Sequence, residues 1–203
     1  AALHAAIDRH DLGYTPPTGT QLPAAFADFA RRRLGWAVDQ DQISLVPDVM
    51  AGLIELCRAL VEPGGQVAFF TPAYPPFFDE LPQARVELVQ LSLGPGYAVD
   101  LDGLEAALAG GVRALVLANP HNPTGRVLPR AELEQIAELC ARYDCWVLAD
   151  EIHAPLVLHG ATHTPWLEVS DAAREYGIAL SSASKAFNVA GLKAALMITA
   201  SDR

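Results

Sequence analysis

Lysine is scarce in this chain. Of 14 basic residues only two are lysines, Lys185 and Lys193; the other 12 are arginines, and 35 of the 203 residues are alanine, as a GC-rich genome would produce. Two lysines within one nine-residue stretch pose a chemical question. A lysine amine can lose its proton and attack a carbonyl, whereas a guanidinium stays charged. An ordinary surface lysine is the plain alternative. Around these two residues the chain offers further groups with chemistry: the turn Asn119-Pro120-His121-Asn122-Pro123-Thr124-Gly125, the acid pair Asp150-Glu151 followed by His153, and Ser181-Ser182-Ala183-Ser184-Lys185.

Each of these follows a short apolar run. Two Asn-Pro steps and a glycine force the chain out of a strand into a fixed turn that presents the neutral donor and acceptor Asn122. A carboxylate at the end of a buried strand, as Asp150 is placed here, is costly unless a positive group faces it. Capping or a simple ion pair would also account for it. Hydroxyls beside a lysine suit an anion next to an amine. A metal site on His153, His159 and His163 matches no standard zinc spacing. A Ser–Lys hydrolase would lack the G-x-S-x-G elbow and leave the acid and Asn122 without roles. Neither G-x-G-x-x-G nor a Walker loop is present.

The elements that must position these groups alternate between strand and helix. Residues 66–71, 86–91, 112–118, 145–149, 178–182 and 194–199 read as buried strands. Amphipathic helices are expected from Asp48 (Val49, Leu53, Leu56, Leu60), near 104–108, and from Pro129 or Arg130 (Leu133, Ile136, Ala137, Cys140). Such a pattern predicts an α/β fold, a three-layer α/β/α sandwich with a mostly parallel sheet, whose ligands bind outside the carboxyl ends of the strands. Residues 1–30 are expected to form an N-terminal arm, turn-rich over 11–19, and the start of a first helix near 22–34; residues 31–203 form the main domain. The chain begins abruptly and its last strand ends without a capping element, so a piece of a longer protein is expected.

Composition excludes other classes. A net charge of −10 repels nucleic acid on average. No apolar run reaches the length that spans a bilayer, and no signal peptide opens the chain. The three cysteines form no zinc pattern, which makes a reduced, cytoplasmic protein the expectation.

Together the three constellations suit pyridoxal 5′-phosphate. That cofactor needs an amine for its aldehyde, an acid for its ring nitrogen, a donor for its phenolic oxygen and a phosphate cradle. Lys185 would form the Schiff base, Asp150 would face the pyridine nitrogen, and Asn122 would donate to the phenolate. Ser182, Ser184 and the backbone N–H groups of Val49 and Met50 can reach a phosphate. Tyr74, in Thr71-Pro72-Ala73-Tyr74-Pro75, can stack on the ring.

NPHNPTG, DEIH and SASKAFNVAGL, in this order and at these intervals, resemble the large domain of fold-type I pyridoxal-phosphate enzymes, the aspartate aminotransferase superfamily. Gly13-Tyr14, TPAYPPF, DEIHAPLVLHGATHTPW and SKAFNVAGLK resemble its MalY/PatB-type cystathionine β-lyases in particular. The resemblance implies Lys185 as the Schiff-base lysine and general base, Asp150 as the ring-nitrogen acid, Asn122 as the phenolate partner, Ser182 as a phosphate ligand and Tyr74 as the stacking ring. It also implies a homodimer in which Tyr14 reaches the neighbouring subunit's phosphate, and an amino-acid substrate. The implied reaction is β-elimination of a thiol from cystathionine or another S-substituted cysteine, giving pyruvate and ammonia. Transamination by the same residues is the alternative, and a non-catalytic pyridoxal-phosphate sensor a third. The small C-terminal domain of the family, with its carboxylate-binding arginine, is expected to be missing.

Two positions depart from the wider pattern. His153 stands where many aminotransferases have tyrosine, and Lys193 where many have a phosphate-binding arginine. Lys193 would supply charge without the bidentate fork, or be an exposed residue at a strand start. Asp48 sits beside the expected phosphate cradle, where a carboxylate should be repelled; the contact is therefore assigned to the backbone of Val49 and Met50.

Overall fold

The computed structural model describes residues 2–11, 13–14 and 20–201. In chain order they form α1 (Ala2–Asp8), α2 (Gln21–Arg33), β1 (Ile43–Val46), α3 (Val49–Leu60), β2 (Gln66–Thr71), α4 (Pro76–Glu80), β3 (Glu87–Ser92), α5 (Leu101–Ala109), β4 (Val112–Ala118), α6 (Arg130–Arg142), β5 (Trp146–Asp150), α7 (Asp171–Glu175), β6 (Gly177–Ser181) and β7 (Ala195–Ile198). The seven strands make one sheet in the order β1-β7-β6-β5-β4-β2-β3. Every pair from β3 to β6 is parallel; β7 runs antiparallel between β6 and β1.

Both faces of the sheet are covered, which gives the expected three layers. One core joins Phe26 and Ala30 of α2 with Leu104, Leu133 and Ile136 of α5 and α6, under Leu115, Leu117 and Val147 of the sheet. The other packs Leu53, Leu56 and Phe77 against Val67, Phe69, Val116, Leu148 and Leu180. Alternate residues of one strand thus feed opposite cores, so the central strands read as continuous apolar runs. Each fully buried Leu or Phe contributes roughly 1.5–3 kcal/mol.

Strand order fixes where a ligand can sit. From β2 the chain moves outward to β3, then returns to place β4 on the other side of β2. That reversal opens a crevice at the carboxyl ends of β2 and β4. Helix α3 is brought over it by a close approach: a Cβ at Gly52 would lie 2.6 Å from Leu180 Cδ2 and 3.3 Å from Val46 Cγ2. Asp48 caps this helix, its Oδ1 accepting from Ala51 N at 2.8 Å.

The six expected strands are present with ends shifted by at most a residue or so. Four elements were not anticipated: α1, β1 and the two five-residue helices α4 and α7. β1 is four residues long and only Ile43 of it is buried, so it carries no apolar run to recognise. α1 has no buried residue. In the arm, Asp11, Gly13 and Tyr14 are described, whereas Leu12 and residues 15–19 lie outside the described residues. No helix among the described residues is long and apolar enough to cross a membrane.

Candidate active site

Nine of the eleven residues singled out from the sequence line one cleft of about 230 Å³: Val49, Met50, Tyr74, Asn122, Asp150, His153, Ser184, Lys185 and Lys193. They come from five places in the chain, brought together by the ends of β2, β4, β5 and β6 and by the start of α3. Asp48, Glu80, Ile152 and Ala190 complete the lining. A larger, mostly apolar opening of about 590 Å³ adjoins it, sharing Asn122 and His153 and walled by Pro120, Val127, Leu156 and Leu158.

The turn carrying Asn122 is built from internal bonds. His121 N donates to Arg126 O at 2.8 Å and Gly125 N to His121 O at 2.7 Å. The His121 ring lies 2.9 Å from Thr124 Oγ1 through Nδ1. Asn119 spends its side chain on structure, its Oδ1 accepting from Leu128 N at 3.0 Å. Arg126 then grips Glu132, in the first turn of α6, with two bonds of 3.1 and 2.6 Å. Gly125 adopts φ 72°, a left-handed conformation that glycine takes without strain. Asn122 is thereby offered at a fixed place.

Asp150 ends β5, and its residue is 8% exposed. Burial is the main reason its carboxyl is pushed up to about 6; the Ile152 N–H, 3.2 Å away, works against that, Glu151 adds to it, and the Lys185 charge lowers it. A carboxylate this deep, with one backbone donor, is what a cationic ring nitrogen would relieve. Lys185 lies on the turn after β6, held by Phe187 N donating to Ala183 O at 3.0 Å and Val189 N to Ser184 O at 3.1 Å. His153 titrates below its ordinary range, first because it is buried and then because of the Lys185 charge. It is a neutral ring at physiological pH. The amine, acid and amide set fits pyridoxal phosphate.

Two expected residues stand elsewhere. Ser182 is buried behind Ser184: its Oγ donates to Ala194 O at 2.7 Å, lies 2.7 Å from Ser184 Oγ, and accepts from Ser184 N at 3.1 Å. It braces the turn rather than lining the cleft. Tyr14 is fully exposed.

Sequence reasoning missed two pairs. Lys193 Nζ donates to Asp48 Oδ2 at 2.8 Å, so the carboxylate that looked out of place has a cation 145 residues away. Glu151, beside the cleft, is fully buried; its Oε1 accepts from Trp166 N at 2.6 Å and lies 3.4 Å from His163 Nε2. That contact closes the loop bearing His153 back onto the end of β5. His163, weighed above as a metal donor, faces Glu151 instead, and no cluster of three or more metal-ligating side chains occurs among the described residues.

The mostly parallel sheet carries these groups at its carboxyl edge, and the whole chain, residues 1–203, matches the family model for aminotransferase class I and II. The chain belongs to that family. It is 34% identical over 201 residues to the cystathionine beta-lyase PatB of Bacillus subtilis, covering 97% of this chain and 52% of that protein. The crystal structure of a PLP-bound C-S lyase from Staphylococcus hominis superposes with a TM-score of 0.90 at 29% identity, over 99% of this chain and 52% of the other. N-succinyldiaminopimelate aminotransferase from Mycobacterium tuberculosis also superposes at TM-score 0.90, with 32% identity, over 98% of this chain and 53% of that one. The chain spans about half the length of these relatives.

Proposed function

We propose that these residues are the cofactor-binding half of a pyridoxal-phosphate-dependent carbon–sulfur β-lyase acting on cystathionine or another S-substituted cysteine. The observation that carries the reading is Asp150, a carboxyl buried at a strand end and pushed up to about 6, in one cleft with Lys185 and Asn122. The PatB relative and the Staphylococcus hominis structure support the lyase assignment.

When bound, the cofactor supplies an electron-accepting ring that stabilises negative charge at the substrate α-carbon. Lys185 would hold the cofactor through its Nζ, and the same amine would serve as the general base that accepts the substrate α-proton. Asp150 would face the ring nitrogen and favour its protonated form by charge. Asn122 would donate to the phenolic oxygen, and the neutral His153 ring lines the same two openings as Asn122. Ser184, Lys193 and the backbone of Val49 and Met50 would hold the phosphate, and Tyr74 would cover a ring face. Ser182 would act on the phosphate only by positioning Ser184.

The fully exposed Tyr14 is free to enter a second subunit, and we assign the protein to a homodimer in which it does so. The three unpaired, buried cysteines suit a reducing cytoplasm. Aminotransfer is the second reading, favoured by the match to the Mycobacterium tuberculosis aminotransferase. The two separate by experiment: the full protein is given cystathionine, an S-alkyl cysteine, or an amino acid with 2-oxoglutarate. Pyruvate and thiol released without a keto-acid acceptor support the lyase; strict dependence on the acceptor overturns it.

A further inference from the structure

The phosphate end of the cleft contains more negative than positive charge. Lys193 faces it, but so do Asp48 and Glu80. Asp48 uses both of its oxygens there. Oδ1 accepts from Ala51 N at 2.8 Å, at the amino terminus of α3, and Oδ2 accepts from Lys193 Nζ at 2.8 Å. A helix amino terminus and a lysine are both groups that bind a phosphate, and a carboxylate already engages both.

Lys193 is not free to turn elsewhere through its backbone. Its φ is 51°, in the left-handed region that a non-glycine residue occupies only when its surroundings hold it. The following carbonyl, Ala194 O, accepts the Ser182 hydroxyl at 2.7 Å. The pairing is felt by both partners. The Lys193 hydrogen bond, then the Ala51 N–H, hold Asp48 below the usual carboxylate range, and Asp48 raises Lys193.

We propose that Asp48 is an internal competitor for the phosphate subsite, occupying the α3 terminus and the Lys193 amine and so setting how tightly and how selectively the cleft holds a phosphorylated pyridoxal. This rests on the cofactor reading above. A competing carboxylate lowers affinity for a dianion while leaving affinity for an unphosphorylated pyridoxal untouched. Site residues at the Lys185 end then contribute a larger share of the binding.

The test is an equilibrium titration of the full protein and its Asp48→Asn variant, followed by quenching of tryptophan fluorescence. Asparagine caps a helix as well as aspartate does, so the variant retains α3. Ligands are pyridoxal 5′-phosphate, pyridoxal, and inorganic phosphate as a competitor against pyridoxal 5′-phosphate. Removing one like charge from a partly exposed site should tighten pyridoxal 5′-phosphate and strengthen phosphate competition by about tenfold at low salt, less at high salt. Pyridoxal should bind both proteins alike. Unchanged or weaker pyridoxal 5′-phosphate binding in Asp48→Asn overturns the proposal and makes Asp48 a residue that positions Lys193 instead. Lys185→Ala separates the two levels of inference. If that variant still fixes pyridoxal on borohydride reduction, the cofactor reading fails, whereas the phosphate competition still reports on Asp48.

Discussion

The floor and the rim of the cleft handle charge in opposite ways. At the floor, Asp150 is buried with one backbone donor, and its carboxyl is pushed up to about 6. At the rim, Asp48 and Lys193 face water and neutralise each other at 2.8 Å. The Asn122 turn shares the floor's rigidity without its charge, since its neighbours bond to one another and to α6. A buried carboxylate raised by desolvation destabilises the free fold and is relieved by a cationic group; a rim in which Asp48 pairs with Lys193 and caps α3 favours folding, and an anion bound there must compete with that pairing. In the proposed function the floor sets which group binds, and in the proposed competition by Asp48 the rim sets how strongly its anion is held.

The largest expected effect removes the Lys185 amine that shares the cleft with Asp150. Lys185→Ala should lower product formation by about 10³-fold or more, measured as pyruvate release by the full protein. Asp150→Asn should lower turnover by about 10²-fold while making the cofactor-free protein more stable. The sign follows from where the proton sits. The unfolded chain releases it near the ordinary value of 3.8, the folded chain only at about 6. Above that upper value folding bears an ionised, buried carboxylate, and the penalty fades as pH falls toward 3.8. The variant should gain on the order of 3 kcal/mol in urea melts at neutral pH and nothing near pH 4. An equal gain at both pH values would contradict the floor as described.

Breaking the brace under the Asn122 turn should matter less. Arg126→Ala leaves Glu132 half-buried with its remaining partner, Val99 N at 2.7 Å. A loss of about 1–2 kcal/mol is expected in denaturant melts, with weakened cofactor binding because Asn122 is no longer fixed. Smallest of all is a thiol test of the scaffold. Burial pushes the Cys57 thiol up to about 12, so iodoacetamide should leave it unmodified at neutral pH until the protein unfolds. Labelling in the native state would show that the core around α3 opens.

Legibility in the sequence follows the same division. The floor was readable because its groups sit directly after apolar runs: VRALVLA leads to Asn122, CWVLA to Asp150, and IALSS to Lys185. A strand end is a local signal. The rim was not readable in the same way, since Asp48 makes sense only beside Lys193, and nothing in either neighbourhood names the other. Ser182 illustrates the limit at shorter range. Its type and spacing suit a phosphate, yet β6 ends at Ser181 and the next hydroxyl turns inward to Ala194 O. The edge strand β1 escaped notice because its register is dictated by β7 rather than by its own pattern.

The most direct measurement of the central claim is borohydride reduction of the full protein mixed with pyridoxal 5′-phosphate, followed by peptide mapping by mass spectrometry. The cofactor mass is expected on Lys185 alone. Finding it on Lys193, or on no lysine of this chain, would contradict the account.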